Sequence, residues 1–344
     1  MQCTLLIPHL VWSRETAVAM FSGLALPALT TLVARARAER FPALTAEGWL
    51  CQAFEIERQR DWPVAPFTLA LDGGEPGDAY WLRADPVHIK VERHRLLLVE
   101  NALFDLSAEE AQALAASLDR HFGPDGVTFH APHPKRWYAR LARAPNLVTR
   151  SVSEVAGQDV RLHLPTGDDA LHWHGVFNEA QMLLHGHPVN AEREERGEPI
   201  VNSVWFWGGG TRTTARGGTF GAVSSDDAAA TAIAAAADTH AAGLPAGADA
   251  WLDAAARRQA DEAHLIILDE LASARAYRDG EAWRSRVAAL EAHWFAPLVA
   301  ALRERRISSL ALVVPLAESC WRFEVTPGDL YKLWRRPKPW SEYA

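Results

Sequence analysis

The chain has 344 residues, of which 49% are hydrophobic and 23% are charged, and its formal net charge is −8. This length and composition indicate a globular protein of two domains and exclude wholesale disorder. The negative charge excludes a nucleic-acid binder that uses its whole surface, because neutralising phosphates requires clustered Lys and Arg.

The three cysteines, Cys3, Cys51 and Cys320, are far apart and form no CxxC pair. This spacing indicates neither a disulfide framework nor a zinc site, and it fits a reducing compartment. The apolar run at 17–29 is interrupted by Gly and Pro and is shorter than the ~20 residues that a membrane span needs. No basic region precedes that run, so the sequence predicts a cytoplasmic protein without a membrane partner.

The first third of the chain shows both strand and helix patterns. Hydrophobicity predicts a strand at 3–7, a helix at 28–40 and a second strand at 67–71. A Gly-rich turn at 72–77 closes the second strand. A domain boundary is expected shortly after this turn.

The middle of the chain has the pattern of an α+β domain. Two short strands, 87–91 and 96–99, predict a β-hairpin. Ser107 and Glu110 have the spacing of a capping box, which starts a helix that runs to about residue 121. Together these elements predict an inserted α+β domain at 80–210.

The last third returns to alternating α and β patterns. Small residues at 228–242 predict a closely packed helix, and 264–268 and 309–314 predict buried strands. Between these strands lies a strong helix pattern at 281–306 with Pro297 as the expected bend. Strand, helix and strand in this order predict a parallel pair with a right-handed crossover. The predicted fold is therefore α/β, with a discontinuous core made of residues 1–79 and 211–344.

Four histidines form two H-x-H pairs, at 172–174 and 185–187, and such pairs raise the question of a metal site. The residues between the pairs have a helical pattern. Eleven residues of helix would separate the pairs by ~16 Å, far beyond one coordination sphere. We therefore favour imidazoles that line a ligand site or that form hydrogen bonds within the protein.

His187 is followed by Asn190 and Arg193, whose amide and guanidinium groups are suited to recognising an anion. The alternative from the residues alone is a helix end at 185–186 and a solvated charged loop through 196. A strand at 202–207 then opens into three glycines, with Arg212 and Arg216 beyond them. Glycines and arginines could cradle an oxyanion, although a hinge would use the same glycines.

These motifs carry a resemblance to a known family. The stretch 187–190, Asn202 and the Trp-Phe-Trp-Gly run at 205–208 resemble the substrate-domain signature of archaeal-type cofactor-independent phosphoglycerate mutases, members of the alkaline phosphatase superfamily. The run at 81–88, Trp-Leu-Arg-Ala-Asp-Pro-Val-His, adds to this resemblance. Among bacterial chains the sequence is most similar to the RpfE-type regulatory proteins, a mutase-like group. The resemblance implies an alkaline-phosphatase-like core with a mainly parallel sheet and an inserted domain.

The resemblance also implies two divalent metals, Mn or Zn, bound by Asp and His at the ends of core strands, and a Ser that becomes phosphorylated. This chain departs from that pattern at each place. Pro-His at 8–9 replaces the family's Asp-Gly, and Pro-Leu at 315–316 replaces its Asp-His. The loop at 73–78 contains no Ser, and only Asp269 is left as a candidate metal ligand. One carboxylate cannot hold two metals, so the sequence predicts no metal cofactor.

The C-terminal tail mixes basic residues with tryptophans at Lys332, Trp334, Arg335, Arg336, Lys338 and Trp340. Such a tail could bind a single-stranded nucleic acid by stacking and charge neutralisation. We favour a tail whose tryptophans pack back on the protein, because a short motif without structural context is a weak signal.

The sequence therefore predicts a catalytically degenerate phosphoglycerate-mutase-like protein that binds a small phosphorylated or anionic ligand in a regulatory role, with a protein partner as a further expectation. The predicted ligand contacts are His187, Asn190 and Arg193, followed by His172, Arg212 and Arg216. One alternative is an active metal-dependent mutase or phosphatase whose ligands include the histidines at 172–187. The other is a single-strand binder acting through the tail, which the net charge disfavours.

Overall fold

The computed structural model describes residues 1–258 and 262–344 and divides the chain into two compact units. The first unit is built from Met1–Glu55 and Ala215–Ala344, and the second is Ile56–Thr214. The division therefore lies before residues 56–79, which the sequence had placed in the core. These residues belong to the second unit because the helix Val64–Leu71 packs on strands of that unit.

The first unit contains, among the described residues, a seven-stranded sheet in the order β2-β12-β11-β1-β10-β8-β9. Its central strands pair in parallel, and β12 and β2 continue the sheet in antiparallel orientation. The central strands are almost wholly buried and apolar, as strands covered on both faces must be. The strands are β1 (Gln2–Leu6), β2 (Arg37–Pro42), β8 (Ala222–Ser224), β9 (His240–Ala242), β10 (Ala263–Ile267), β11 (Ser309–Pro315) and β12 (Ser319–Val325).

Helices pack against this sheet to form the main hydrophobic core. They are α1 (Arg14–Phe21), α2 (Pro27–Arg35), α10 (Ala248–Ala255), α11 (Ala272–Ala276), α12 (Gly280–Leu290) and α13 (Ala296–Arg303). Two further helices, α3 (Ala46–Ala53) and α9 (Ala228–Ala236), pack against each other, and α9 also contacts β8 and β9. A π-helical turn, Glu291–Phe295, joins α12 to α13. The turn places the buried Glu291 carboxylate where it accepts the free N–H groups of Ala28 and Leu29, at 2.6 and 2.9 Å, and so caps α2.

Two of the predicted helices in this unit are too long. The helix predicted at 28–40 ends at Arg35, and the one predicted at 228–242 ends at Ala236. In both places the following residues form a strand, because pairing with β12 and β8 outweighs the local helical pattern. The strands predicted at 264–268 and 309–314 are present, but β1 lies between them and pairs in parallel with both.

The second unit has, in its described residues, a five-stranded antiparallel sheet in which β3 pairs with β4, β6 and β7, and β6 with β5. Its strands are β3 (Tyr80–Glu92), β4 (Arg95–Val99), β5 (Val127–His133), β6 (Arg136–Leu141) and β7 (Ser203–Gly210), and its helices are α4 (Val64–Leu71), α5 (Ala108–Phe122), α6 (Val152–Val155), α7 (Ala170–His185) and α8 (Pro188–Glu195). The predicted hairpin is confirmed, since His88 pairs with Val99. The capping box of α5 is also present, with Ser107 and Glu110 satisfying each other's backbone N–H groups.

The strand predicted at 67–71 is wrong, because these residues lie in α4. A short apolar run carries no periodicity that separates a strand from a buried helix. The segment that continues from His187 is also helical, since α8 replaces the charged loop considered from the sequence. In the part of the chain that the structure describes, none of the helices has the length and apolar character that crossing a bilayer would require.

Candidate functional site

The two faces of the second unit's sheet have different chemistry. Tyr80, Leu82 and Ala84 of β3 face a hydrophobic core that also contains residues of α5 and α7. The alternate residues Trp81, Arg83 and Asp85 point to the other face, because side chains alternate along a strand. That second face holds the charged residues of the 81–88 run, so the motif places its charges inside the unit.

The centre of this polar face is an ion pair between Arg83 and Asp85. Arg83 Nε and Nη2 donate to Asp85 Oδ1 at 3.0 and 2.6 Å, and the two side chains are only 7% and 4% exposed. Trp207 Nε1 donates to the other carboxylate oxygen at 2.7 Å. Burial raises the pKa of the Asp85 carboxyl, while Arg83 and the Trp207 hydrogen bond oppose this effect. The pair is therefore held by three fixed contacts.

Aromatic rings complete the surroundings of Arg83. Its guanidinium carbon lies 5.4 Å from the Tyr138 ring centroid and 5.2 Å from that of Trp207. Both distances are in the range of cation–π contacts. Gly208, with φ +65°, follows Trp207, and a Cβ there would lie 3.2 Å from Cβ of Val64. The glycine thus lets β7 approach α4 closely and holds Trp207 over the guanidinium.

A second ion pair lies next to the first. Arg136 donates to the Asp72 carboxylate, and the Tyr138 hydroxyl donates to Asp72 Oδ2 at 2.6 Å. Burial alone would raise the pKa of Asp72, but the hydrogen bonds from Arg136 and Tyr138 outweigh it and lower the pKa. The Asp72 carboxyl is therefore ionised at neutral pH and connects α4 to β6.

A cavity of about 1170 Å³ opens beside Asp72, between the 73–79 loop, α5 and the ends of β5 and β6. Its charged lining residues are Asp72, Glu75, Asp78, Asp119 and Arg140, joined by His130. Burial lowers the pKa of His130, the charge of Asp119 opposes this effect and Arg140 adds to it, so this imidazole is neutral at neutral pH. The lining is therefore acidic overall, and it does not favour an anionic ligand.

His187, the first predicted ligand contact, is the N-cap of α8. Its Nδ1 accepts from the Val189 N–H at 3.2 Å, and its Nε2 lies 2.9 Å from Ser117 Oγ. Since Nδ1 accepts, the proton of the neutral ring is on Nε2, and the ring donates to Ser117. The Ser117 hydroxyl in turn donates to the Ala113 carbonyl at 3.2 Å. His187 is thus not placed to remove a proton from Ser117.

Asn190 and Arg193 are buried, and each is 1% exposed. Asn190 Nδ2 donates to the carbonyls of Leu184 and Val201, and its Oδ1 accepts from the Val201 N–H at 2.9 Å. Arg193 donates to the Pro199 and Asp105 carbonyls and pairs with Glu110 at 2.8 Å. These side chains were predicted to contact a ligand. In the structure their hydrogen bonds go to the protein, because α8 needs polar anchors to pack against buried backbone.

The three weaker candidates are exposed. His172 is on the first turn of α7, and Arg212 follows β7 in the second unit. Arg216 belongs to the first unit, where it pairs with Glu55 at 3.7 Å. The contact of the six predicted residues with a ligand stays a prediction.

The four histidines are also separated, as the helical spacing predicts. Helix α7 extends from Ala170 to His185, so the two H-x-H pairs lie at opposite ends of the helix. His174 Nε2 contacts the Pro165 carbonyl at 2.8 Å, while His187 contacts Ser117. Within residues 1–258 and 262–344, no three His, Cys, Asp or Glu side chains are grouped closely enough to bind a metal ion.

The carboxyl edge of the parallel sheet in the first unit is where the family resemblance places two metals. His9 follows β1 and Leu316 follows β11, and neither supplies a carboxylate. Asp269 follows β10, and Asp226, which the sequence analysis missed, follows the neighbouring strand β8. Burial and then the charge of Asp226 raise the pKa of Asp269, although a backbone hydrogen bond opposes this effect. The described residues at this edge do not fit a two-metal centre, which needs a fuller ligand set.

The cysteines offer no ready nucleophile. All three are buried and free. Burial raises the pKa of the Cys51 thiol to about 12 and that of Cys320 to about 11, and it also raises the pKa of Cys3. Because the thiolate is the reactive form, these thiols are inert at neutral pH.

The sequence was compared with protein families and with curated proteins. No protein-family model matches the sequence. A probable 2,3-bisphosphoglycerate-independent phosphoglycerate mutase of Geobacter sulfurreducens is 27% identical over 151 residues, which are 42% of this chain and 37% of that protein. The 2,3-bisphosphoglycerate-independent phosphoglycerate mutase of Methanosarcina mazei is 28% identical over 110 residues, which are 30% of this chain and 27% of that protein. The chain is homologous to archaeal-type cofactor-independent phosphoglycerate mutases over part of its length.

Two solved structures match the fold over nearly the whole chain. The cofactor-independent phosphoglycerate mutase of Thermoplasma acidophilum has a TM-score of 0.50 and 11% identity, with 100% of this chain and 95% of that chain covered. The PH0037 protein of Pyrococcus horikoshii has a TM-score of 0.54 and 12% identity, with 99% and 92% covered. The predicted alkaline-phosphatase-like α/β fold with an antiparallel-sheet domain is therefore confirmed. The sequence matches to the curated mutases reach only 37% and 27% of their lengths.

Proposed function

We propose that this chain is a phosphoglycerate-mutase-like protein that binds a small phosphorylated or anionic ligand and does not convert it. One observation carries the proposal. The strand ends after β1 and β11 present His9 and Leu316, where activation of an oxygen nucleophile by two metals would require carboxylates. A fold can persist after its catalytic groups are lost, because function depends on the site and not on the fold.

The ligand class rests on the relatives. The curated relatives are described as phosphoglycerate mutases, so a phosphorylated three-carbon acid is the ligand to test first. The regulatory role rests on the similarity of the sequence to RpfE-type proteins. A ligand that binds one conformation of the folded chain more tightly would stabilise that conformation, and a protein partner could recognise it.

Metal binding gives the first test. The full chain is treated with a chelator, dialysed against Mn²⁺ or Zn²⁺, and weighed by native mass spectrometry. We expect no stoichiometric metal on the wild-type protein. Two tightly bound ions per chain would overturn the proposal, since two ions are what the phosphotransfer chemistry of such mutases would use.

A second candidate function is an active metal-dependent mutase or phosphatase. The observation that favours it is the pair of carboxylates, Asp226 and Asp269, at the ends of neighbouring parallel strands. This candidate predicts that Asp269→Asn removes both metal and turnover. The matched control is Asp253→Asn on α10. The Asp253 carboxylate is exposed, and its distance of 4.0 Å from Arg306 makes the contact weak. If the wild-type protein shows neither metal nor turnover, this candidate is excluded.

A further inference from the structure

A cluster of unpaired hydrogen-bond donors lies just after β1 in the first unit. The chain turns at His9, whose φ of 63° is in the left-handed region that few side chains adopt. This turn leads into Trp12 near Arg275 of α11. Trp283 fixes the turn, because its Nε1 donates to the His9 carbonyl at 3.1 Å. Strained backbone of this kind is retained where surrounding contacts hold it, and it is frequent at binding sites.

Arg275 makes a cation–π contact with Trp12. Its guanidinium carbon lies 4.6 Å from the Trp12 ring centroid. No described Asp or Glu lies within ion-pair distance of it. Burial and then the charge of Arg278 lower the pKa of Arg275. A half-buried guanidinium without a carboxylate has free donors in the planar geometry that oxyanions match.

Trp12 supplies a second donor. Its indole Nε1 is buried and has no acceptor among the described residues. A buried N–H without an acceptor costs about 1–3 kcal/mol, so such groups ordinarily have partners. The ring is fixed by an edge contact with Trp283, at a centroid distance of 6.0 Å. The N–H is therefore held in place and not free to reorient towards a protein acceptor.

His9 and Glu47 complete the surroundings of the cluster. Burial and then the charge of Arg275 lower the pKa of His9 to about 4, and Glu47 acts in the opposite direction. The His9 imidazole is thus neutral at neutral pH and can donate one hydrogen bond. The cluster offers donors from Trp12, Arg275 and His9, and the charge of Glu47 acts on His9. Among the described residues, the buried Trp12 N–H has no acceptor.

We propose that Trp12 and Arg275 bind a small oxyanion, with His9 beside it. Phosphate and carboxylate groups share the required chemistry, which is an oxygen that accepts from both the indole N–H and the guanidinium. The choice of phosphate and carboxylate as ligands of this site rests on the proposed function, because a phosphorylated acid carries both groups. Anion binding by Trp12 and Arg275 does not require that the chain be inactive. An experiment can therefore reject the site without rejecting the proposed lack of turnover, and the reverse.

The experiment follows the indole N–H signals of the ¹⁵N-labelled full chain by NMR. The chain has 14 tryptophans, and Trp12→Phe identifies the signal of Trp12 by its disappearance. Titration with inorganic phosphate should move that signal downfield in a saturable way. Titration with acetate in a second sample distinguishes a carboxylate site from a phosphate site, and a response to either supports the proposal.

Three variants make the result specific. Arg275→Ala should weaken the anion affinity by about tenfold or more, the factor that corresponds to a lost charge-assisted hydrogen bond. Arg275→Lys keeps the charge but loses the planar guanidinium, so its anion affinity should be intermediate. It replaces Arg275→Ala in the comparison if the alanine variant folds poorly. Arg257→Ala removes an exposed arginine of the same unit and should leave the affinity unchanged.

Two results would overturn the site. One is a Trp12 signal that responds to neither anion in the folded wild-type protein. The other is a response that persists undiminished in both Arg275 variants. Calorimetry with 3-phosphoglycerate separates the two levels of the proposal. If 3-phosphoglycerate binds without moving the Trp12 signal, the site is wrong and the proposed function stands. If the signal moves and the substrate is converted, the site stands and the proposed lack of turnover is wrong.

Discussion

Arg83 and Asp85 depend on each other, because both are removed from water. Their side chains are 7% and 4% exposed, and the Asp85 carboxylate accepts from Arg83 and Trp207. Each ion would be costly to bury alone. The Arg-Ala-Asp run at 83–85 is thus a structural support for the sheet of the second unit. The sequence shows the residues, but their burial depends on α4 covering this face.

Asp85→Asn tests this interdependence, since it keeps the shape and removes one charge. We expect the free energy of unfolding in urea to fall by about 3–5 kcal/mol, the loss typical of breaking a buried ion pair. Glu39→Gln is the control. It breaks the exposed Arg37–Glu39 pair of 2.7 Å and should cost no more than about 1 kcal/mol. Equal losses in the two variants would show that the buried carboxyl carries no charge in the folded protein.

His9 gives a second prediction at this scale. Its pKa is lowered from 6.5 to about 4 by burial and by Arg275, with Glu47 opposing. Between these pH values the unfolded state binds more protons than the folded state. The contribution of His9 to stability is therefore present above pH 6.5 and is lost as the pH falls towards 4.

His9→Asn should flatten this dependence, and Asn tolerates the left-handed backbone at this position. The measurement is the free energy of unfolding from pH 7 to pH 4.5 for both proteins. The other imidazoles contribute equally to both curves, so the difference isolates His9. Parallel curves would mean that His9 titrates normally.

Helix α8 shows that residues of a predicted binding motif can also anchor the fold. Asn190 joins the end of α7, through the Leu184 carbonyl, to both backbone groups of Val201 just before β7. Amide and guanidinium groups bind anions and buried backbone equally well. The sequence therefore identified Asn190 and Arg193 as special, but only the fold shows that their partners are internal.

Asn190→Ala distinguishes the two roles. We expect the free energy of unfolding to fall by about 1–3 kcal/mol, because buried backbone groups lose their partners. Asn178→Ala, on the exposed face of α7, is the matched control and should change it by less than about 0.5 kcal/mol. A stable Asn190→Ala protein with weakened binding of 3-phosphoglycerate would restore the ligand-contact role.

The C-terminal tail divides into a packed and an exposed part. Trp340 stacks on Phe21 of α1 with ring centroids 4.1 Å apart, while Trp334 is 75% exposed. Trp340→Ala should lower the free energy of unfolding by about 1–3 kcal/mol through lost apolar burial. Trp334→Ala should be neutral within about 0.5 kcal/mol. If removing Trp334 instead weakens single-strand binding in a salt-dependent way, the tail has the nucleic-acid role that the sequence left open.

Elements with strong periodicity were predictable, and short apolar ones were not. Helix α5 has a capping box and an amphipathic pattern, and both appear in the structure. The run 67–71 is too short and too uniformly apolar to distinguish a strand from a helix. Its packing on β3 and β7 selects the helix. Strand β2 likewise depends on β12, which lies far away in the sequence.

For the whole molecule, the order of elements predicted a discontinuous α/β core, and the structural neighbours confirm the fold. What sequence reasoning could not supply was which side chains meet at the carboxyl edge of the parallel sheet. Asp226 was missed because β8 has only three residues and gives a weak strand signal. Trp12 and Arg275 were missed because they are far apart in the sequence and only the fold brings them into contact.

The central claim is that this mutase-like chain binds its ligand without turning it over. The most direct measurement incubates the full chain with 3-phosphoglycerate and Mn²⁺ and follows the products by ³¹P NMR, with the melting temperature measured in parallel. We predict a higher melting temperature with the ligand and no 2-phosphoglycerate above the protein-free sample. Formation of 2-phosphoglycerate at a rate proportional to protein concentration, and lost in Asp269→Asn, would contradict the claim.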